Sequence, residues 1–208
     1  MLLPYIVLLI LAMLAYAGVY AIRRLAIQRH ILDHPNERSS HSVPTPRGGG
    51  LAIVVLVIGT VLVFGIVNGF NRQSLAYIAA GILVAWLGWR DDVHHLSTRM
   101  RFGVQALAVM IGMLGMGYFH SVTIPLFGEW HLGWVGIPIT FLWIMGLINA
   151  YNFMDGLDGF AGGVALIAGS GWMLLSSSDG GLENPLAFWM ALAIAAGSLG
   201  FLIHNWPP

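Results

Sequence analysis

Seven stretches of this chain, at about 3–22, 48–67, 75–90, 103–119, 134–150, 160–178 and 185–204, are apolar, and between their ends none holds Asp, Glu or Arg. A hydrocarbon core of about 30 Å is crossed by about 20 helical residues. Within that core every backbone N–H and C=O has to be satisfied internally, which a helix does by itself. The chain therefore reads as all-α: a polytopic membrane helix bundle of about seven transmembrane helices, forming a single integral membrane domain over 1–208. Charged residues are only 9%, where a soluble domain carries roughly a quarter. There is no Lys, and the nine Arg balance nine acids, so no basic field points to nucleic acid. Cys is absent, which excludes disulfides and thiol chemistry. Met1–Ala21 lacks a basic n-region and its charges, Arg23 and Arg24, follow the apolar run, so it reads as a retained span and not a cleaved leader.

The connecting segments alternate between two faces. One face receives 23–47, 91–102, 151–159 and the C-terminal tail, with Arg23, Arg24, Arg29, Arg38, Arg47, Arg99 and Arg101, and Arg90 at its edge. The other receives 68–74, 120–133 and 179–184 and holds only Arg72. The positive-inside rule makes the first face cytoplasmic and puts the N-terminus outside. Outside, Val122–Trp134 alternates loosely around Gly128 and predicts a short extracytoplasmic hairpin at the interface, with Trp130 and Trp134 as aromatic anchors. Six of the nine acids (Asp33, Glu37, Asp91, Asp92, Asp155 and Asp158) fall on the cytoplasmic side. Orientation alone does not require acids there; chemistry at that face does.

Three loops carry the chemistry. In the first, Pro44 and Pro46 hold the chain extended, and Gly48-Gly-Gly50 leads into a span. A helix start with free N–H groups beside Arg47 favours an anion, phosphate above all. The second begins Arg90-Asp91-Asp92; neighbouring carboxylates repel, and a divalent cation between them relieves the repulsion. Mg²⁺ typically uses one or two carboxylates plus substrate phosphates. His94-His95 and the His30/His34 pair are poor metal candidates: sequence neighbours rarely converge on one ion, and Pro35 ends any helix there. The third is Asn149-Ala-Tyr-Asn-Phe-Met-Asp-Gly-Leu-Asp-Gly159, where Asn149, Asn152, Asp155 and Asp158 recur every third residue. Each step of three turns a helical side chain back by roughly 60°. One straight α-helix cannot aim all four at one target, so a 3₁₀-like turn or a helix end opening into a Gly-loosened loop is expected. An anion cradle, a carboxylate pair and an Asn/Asp cluster on one face suit phosphoryl chemistry with Mg²⁺, and a membrane site suggests a lipid substrate.

These motifs together resemble the polyprenyl-phosphate N-acetylhexosamine-1-phosphate transferases, of which the phospho-MurNAc-pentapeptide transferases are a sister branch. The resemblance rests on Asp-x-Pro-Asn-x-Arg-Ser-x-His-x-x-Pro-Thr-Pro-Arg-Gly-Gly from Asp33, on Asp91-Asp92, and on Asn-x-x-Asn-Phe-x-Asp-Gly-x-Asp-Gly from Asn149. It implies transfer of a sugar-1-phosphate from a UDP-N-acetylhexosamine to undecaprenyl phosphate, with release of UMP and a requirement for Mg²⁺. The setting would be the bacterial inner (cytoplasmic) membrane, at the start of O-antigen or another cell-surface polysaccharide. It further implies that Asp91, Asp92, Asp155 and Asp158 are catalytic, with Asp92 and Asp155 at the metal. Asn149, Asn152, Arg38, His41, Thr45, Arg47, Gly48 and Gly49 would bind substrate. Homodimerisation and the identity of the sugar stay open on these residues. The chain stops at His204-Asn-Trp-Pro-Pro208, where the family continues into a Gly-Asp-x-Gly-Ser motif, further spans and a His/Arg loop. An N-terminal portion or a truncated product, not fully active alone, is thus expected. The competing readings are a non-catalytic relative that binds lipid phosphate and a transporter; the latter is disfavoured because no charge lies mid-span and no repeat is present.

Overall fold

The computed structural model describes residues 2–33, 44–94, 96–177 and 184–206. Seven α-helices run through them: α1 (Leu3–Gln28), α2 (Gly50–Asn68), α3 (Arg72–His94), α4 (Thr98–Met116), α5 (Gly136–Met154), α6 (Phe160–Leu175) and α7 (Pro185–Asn205). Two short antiparallel pairs interrupt them, β1 (Leu32–Asp33) with β2 (Thr45–Pro46) and β3 (Ser121–Ile124) with β4 (Gly128–His131). The protein is an all-α polytopic membrane bundle, and each apolar run of the sequence corresponds to one helix. Among the described residues four segments, α1, α2, Gly133–Met154 and α7, are long and apolar enough to cross a membrane by length and composition. The ends of α3 and α4 bear Arg90, Asp91, Asp92, Arg99 and Arg101, and α6 has 16 residues, about 24 Å of rise.

Three helix ends fall later than the sequence suggests, the first being that of α1, which runs on past Arg23 and Arg24 to Gln28. α3 runs on to His94 because nothing between Arg90 and His94 breaks a helix. Ser97 then starts α4 by accepting the Met100 N–H at 3.4 Å. Asp91 and Asp92 therefore belong to the closing turns of a helix and not to a loop. α5 likewise extends to Met154, carrying Asn149 and Asn152, with Asp155 as its C-cap.

α7 is the centre of the bundle and packs against α1, α2 and α6. In its most apolar window 61% of residues are buried, against 11% for α1. Between membrane helices the hydrophobic effect gives little drive, so association relies on small residues that let backbones approach. α7 has one on each side. A Cβ on Gly200 would lie 2.4 Å from the Ala12 carbonyl oxygen, and one on Gly197 would lie 3.2 Å from Ile53 Cγ2. α6 answers with Gly169, where a Cβ would meet the Ala195 nitrogen at 2.9 Å and the Ala191 oxygen at 3.0 Å. α3 and α4 form a second close pair, with Gly115 against Ala76. α5 joins the bundle mainly through α4.

Gly200→Ala places its methyl against backbone atoms of α1 that cannot yield, and is expected to cost about 1–3 kcal/mol. Gly163→Ala, with nothing within 4 Å of the new atom, is the control. Melting of the two variants in detergent checks this, with the midpoint falling for the first alone.

Candidate active site

The ends of the first polar loop meet. β1 and β2 pair Leu32 with Pro46 and Asp33 with Thr45, and the Arg47 N–H donates to the Ile31 carbonyl at 3.2 Å. This pairing brings Asp33 against the Arg47 guanidinium in a tight ion pair. The other guanidinium nitrogen lies 3.9 Å from Asp92 at the end of α3. Gly48 turns the chain with a left-handed φ of 86°. α2 then begins with no side chain capping it. Gly49 sits under the Phe201 ring of α7, where a Cβ would approach to 2.9 Å. Arg38 and His41 lie outside the described residues.

Asp91 and Asp92 are adjacent yet face different partners, as the ~100° step of a helix requires. Asp91 takes the Leu96 N–H at 2.8 Å and the Arg101 guanidinium at 3.3 Å. Asp92 faces Arg47. Separation and the two arginines reduce the repulsion read from the sequence without removing it: Asp91 still raises the Asp92 carboxyl, and Asp92 shares Arg47 with Asp33.

The Asn/Asp cluster is a helix end opening into a turn. Asn149 donates to the Met145 carbonyl at 2.8 Å and reaches Gln105 of α4 at 3.4 Å, which supports α5 against α4. Asn152 faces a cavity of about 420 Å³ between α3, α4 and α5. Val84, Leu87, Leu147 and Ile148 make its apolar walls, and Asp91, Arg101, Gln105 and Tyr151 also line it. Gly159, with φ 74°, reverses the chain into α6. Its N–H donates to Asn205 Oδ1 of α7 at 2.9 Å, so a side chain from another helix caps the start of α6. Asp158 lies on this turn, half-buried.

Three carboxylates, Asp33, Asp92 and Asp155, share the field of Arg47, which leaves the group net negative. Asp92 is raised above the usual carboxylate range first by burial; Asp155, Asp91 and Asp33 push it further while Arg47 opposes. Asp155 is open to solvent but ringed by protein. That partial loss of hydration raises its carboxyl, followed by Asp33, again against Arg47. Among the described residues no group of three or more His, Asp or Glu is placed to hold a metal by itself. Two carboxylates are enough for Mg²⁺ when phosphate oxygens complete its shell, and hard oxygen donors in a net-negative setting fit that ion.

Sequence reasoning missed Asp33, Arg101, Gln105 and Asn205 as parts of this arrangement. Only Asp33 had a signal, as the first residue of its motif. The partners of the other three are set by helix packing.

A sequence model of glycosyl transferase family 4 matches residues 74–208, from α3 onward. A Bacillus subtilis protein named "Probable undecaprenyl-phosphate N-acetylglucosaminyl 1-phosphate transferase" is 37% identical over 191 residues, covering 90% of this chain and 51% of that protein. The decaprenyl-phosphate N-acetylglucosaminephosphotransferase of Mycobacterium tuberculosis is 31% identical, covering 93% of this chain and 52% of its own length. The undecaprenyl-phosphate alpha-N-acetylglucosaminyl 1-phosphate transferase of Escherichia coli K12 is 30% identical, over 84% and 47%. The chain spans about half the length of the curated relatives it matches.

A carboxyl raised by folding binds its proton more tightly in the folded chain than in the unfolded one. Stability therefore rises as pH falls toward the ordinary carboxylate range and is lost as pH climbs through the raised values. In divalent-free buffer, the Asp92→Asn/Asp155→Asn double variant is expected to gain less from mild acidification than the native chain. It should also melt at least as high at neutral pH. Parallel melting curves across the series would contradict the assignment.

Proposed function

The chain belongs to glycosyl transferase family 4, and on that premise we propose that it builds one wall of a sugar-1-phosphate transfer site. The reaction moves N-acetylhexosamine-1-phosphate from a UDP-sugar to undecaprenyl phosphate at the cytoplasmic face of the bacterial inner membrane. A lipid-phosphate oxygen bonds to the sugar-bearing phosphorus as the bond from that phosphorus to the UMP oxygen breaks. The product, a lipid diphosphate sugar, starts O-antigen or another cell-surface polysaccharide. The observation that carries this reading is the excess of carboxylates around Arg47 beside an apolar cavity that Asp91 and Arg101 line. The first suits a cation and a diphosphate; the second suits the lipid end of the acceptor.

Asp92 and Asp155 would hold Mg²⁺, which when bound neutralises diphosphate charge. Their raised carboxyls mark groups with most to gain from a cation. Arg101, held by Asp91, offers positive charge to the lipid phosphate, and Asp91 positions that phosphate. Asn152 and Asp158 orient the nucleotide diphosphate, with Asn149 holding the end of α5. Thr45, Arg47, Gly48 and Gly49, with Arg38 and His41, form the phosphate side.

Membranes carrying the chain, given radiolabelled UDP-GlcNAc and undecaprenyl phosphate, test this: labelled lipid with release of UMP supports the transferase. Asp92→Asn is expected to lower the rate by about 10²-fold or more; full Mg²⁺-dependent transfer by this variant would remove Asp92 from the metal set. Retained lipid-phosphate binding without product would favour the non-catalytic relative, and uptake without lipid product the transporter.

A further inference from the structure

The hairpin between α4 and α5 lies on the membrane face opposite the carboxylates, and the proposed transfer makes no use of it. Its register pairs Ser121 with His131, Val122 with Trp130, Thr123 with Glu129 and Ile124 with Gly128. Because successive strand side chains alternate, Val122, Ile124 and Trp130 share one face. Ser121, Thr123, Glu129 and His131 share the other, where Ser121 Oγ donates to Glu129 at 2.5 Å. The hairpin is amphipathic, yet its apolar face covers little: Val122 is 45% exposed and Trp130 56%.

The tip sharpens the point. The Phe127 N–H donates to the Ile124 carbonyl at 3.0 Å, closing the turn Ile124-Pro125-Leu126-Phe127. Leu126 occupies its third place with φ 73°, a conformation that ordinarily selects Gly or Asn there. This leucine is fully exposed and Phe127 is 73% exposed. A strained apolar residue with no intramolecular contact gains nothing from water. The base of the hairpin is clamped: the Phe119 N–H donates to Thr140 Oγ1 at 2.8 Å. Gly136 lies so close to the Phe119 carbonyl that no side chain fits between. The candidate span that includes α5 starts at Gly133, just after β4, with Trp134 at its head 77% exposed. A four-residue strand reaches only about 14 Å, so the tip stays within or close to the headgroup zone.

We infer that this hairpin is a monotopic membrane anchor. Its Val122/Trp130 face and its Pro125-Leu126-Phe127 tip enter the lipid leaflet on that side, extending the bilayer-facing surface that begins at Trp134, while Ser121, Thr123, Glu129 and His131 face water. The occupant of the apolar face is lipid. Because the chain has no Cys, single-cysteine variants report directly. Leu126→Cys, Phe127→Cys and the polar-face control Thr123→Cys would each be spin-labelled in phosphatidylethanolamine/phosphatidylglycerol vesicles and tested for collision with oxygen and with a water-soluble nickel chelate. Labels at 126 and 127 are expected to favour oxygen and to be shielded from nickel several-fold relative to 123. Equal nickel access at all three positions overturns the anchor. So does dipolar broadening at 126 between two copies, which would make the tip a protein–protein contact.

Discussion

How closely α7 lets its neighbours approach sets the geometry of everything else. Its glycines and alanines leave no side-chain layer between it and α1 or α6: an added atom at Gly200 or Gly169 would strike backbone. Contacts of that kind are short-range and stereospecific, so they fix helix rotation and depth as well as proximity. The last turns of α7 then carry this precision to the polar face. Phe201 covers Gly49 at the start of α2, and Asn205 holds Gly159 at the start of α6. The His204 carbonyl accepts Arg23 of α1 at 2.9 Å. The first loop and the Asn/Asp turn, more than 100 residues apart in sequence, are thus both referenced to one helix end.

Arg47 is the electrostatic counterpart of that mechanical hub. One guanidinium serves Asp33 directly, reaches Asp92, and lowers the cost of ionising Asp155. It holds like charges together without neutralising them. A fully paired group would have little affinity for a further cation, and one with no arginine would repel itself apart or take up protons. The intermediate case, net negative and partly desolvated, suits a site that receives a cation together with an anionic substrate.

The sequence made the helix number, the hairpin and the shared side of Asp33, Asp92 and Asp155 readable, because each depends on local pattern: apolar length, turn residues and the alternation of connecting segments between helix ends. Helix ends were less readable. Asp91 and Asp92 looked like a loop since charge usually marks one, but α-helical geometry tolerates acids in a closing turn when neighbouring chains supply arginines. Pairings across the bundle were not readable at all. Nothing local in Asn205 or Gln105 announces that one will cap a helix 46 residues away and the other will brace Asn149. Those contacts exist only once α7 meets α6 and α4 meets α5.

The division of Asp91 from Asp92 shows what the helical ending accomplishes. In a flexible loop, two adjacent carboxylates would drift toward the same cation or the same solvent. Fixed in the closing turns of α3, they are held roughly 100° apart and cannot exchange roles. Asp91 is committed with Arg101 to the apolar cavity, and Asp92 to Arg47 and the acids around it. A transfer between a lipid phosphate and a nucleotide sugar needs two anions brought together from different phases, one from the bilayer and one from water. In the proposed reaction, consecutive residues of one rigid helix would face those two sources. The spacing between acceptor and donor would then be set by the backbone of α3, independently of either substrate.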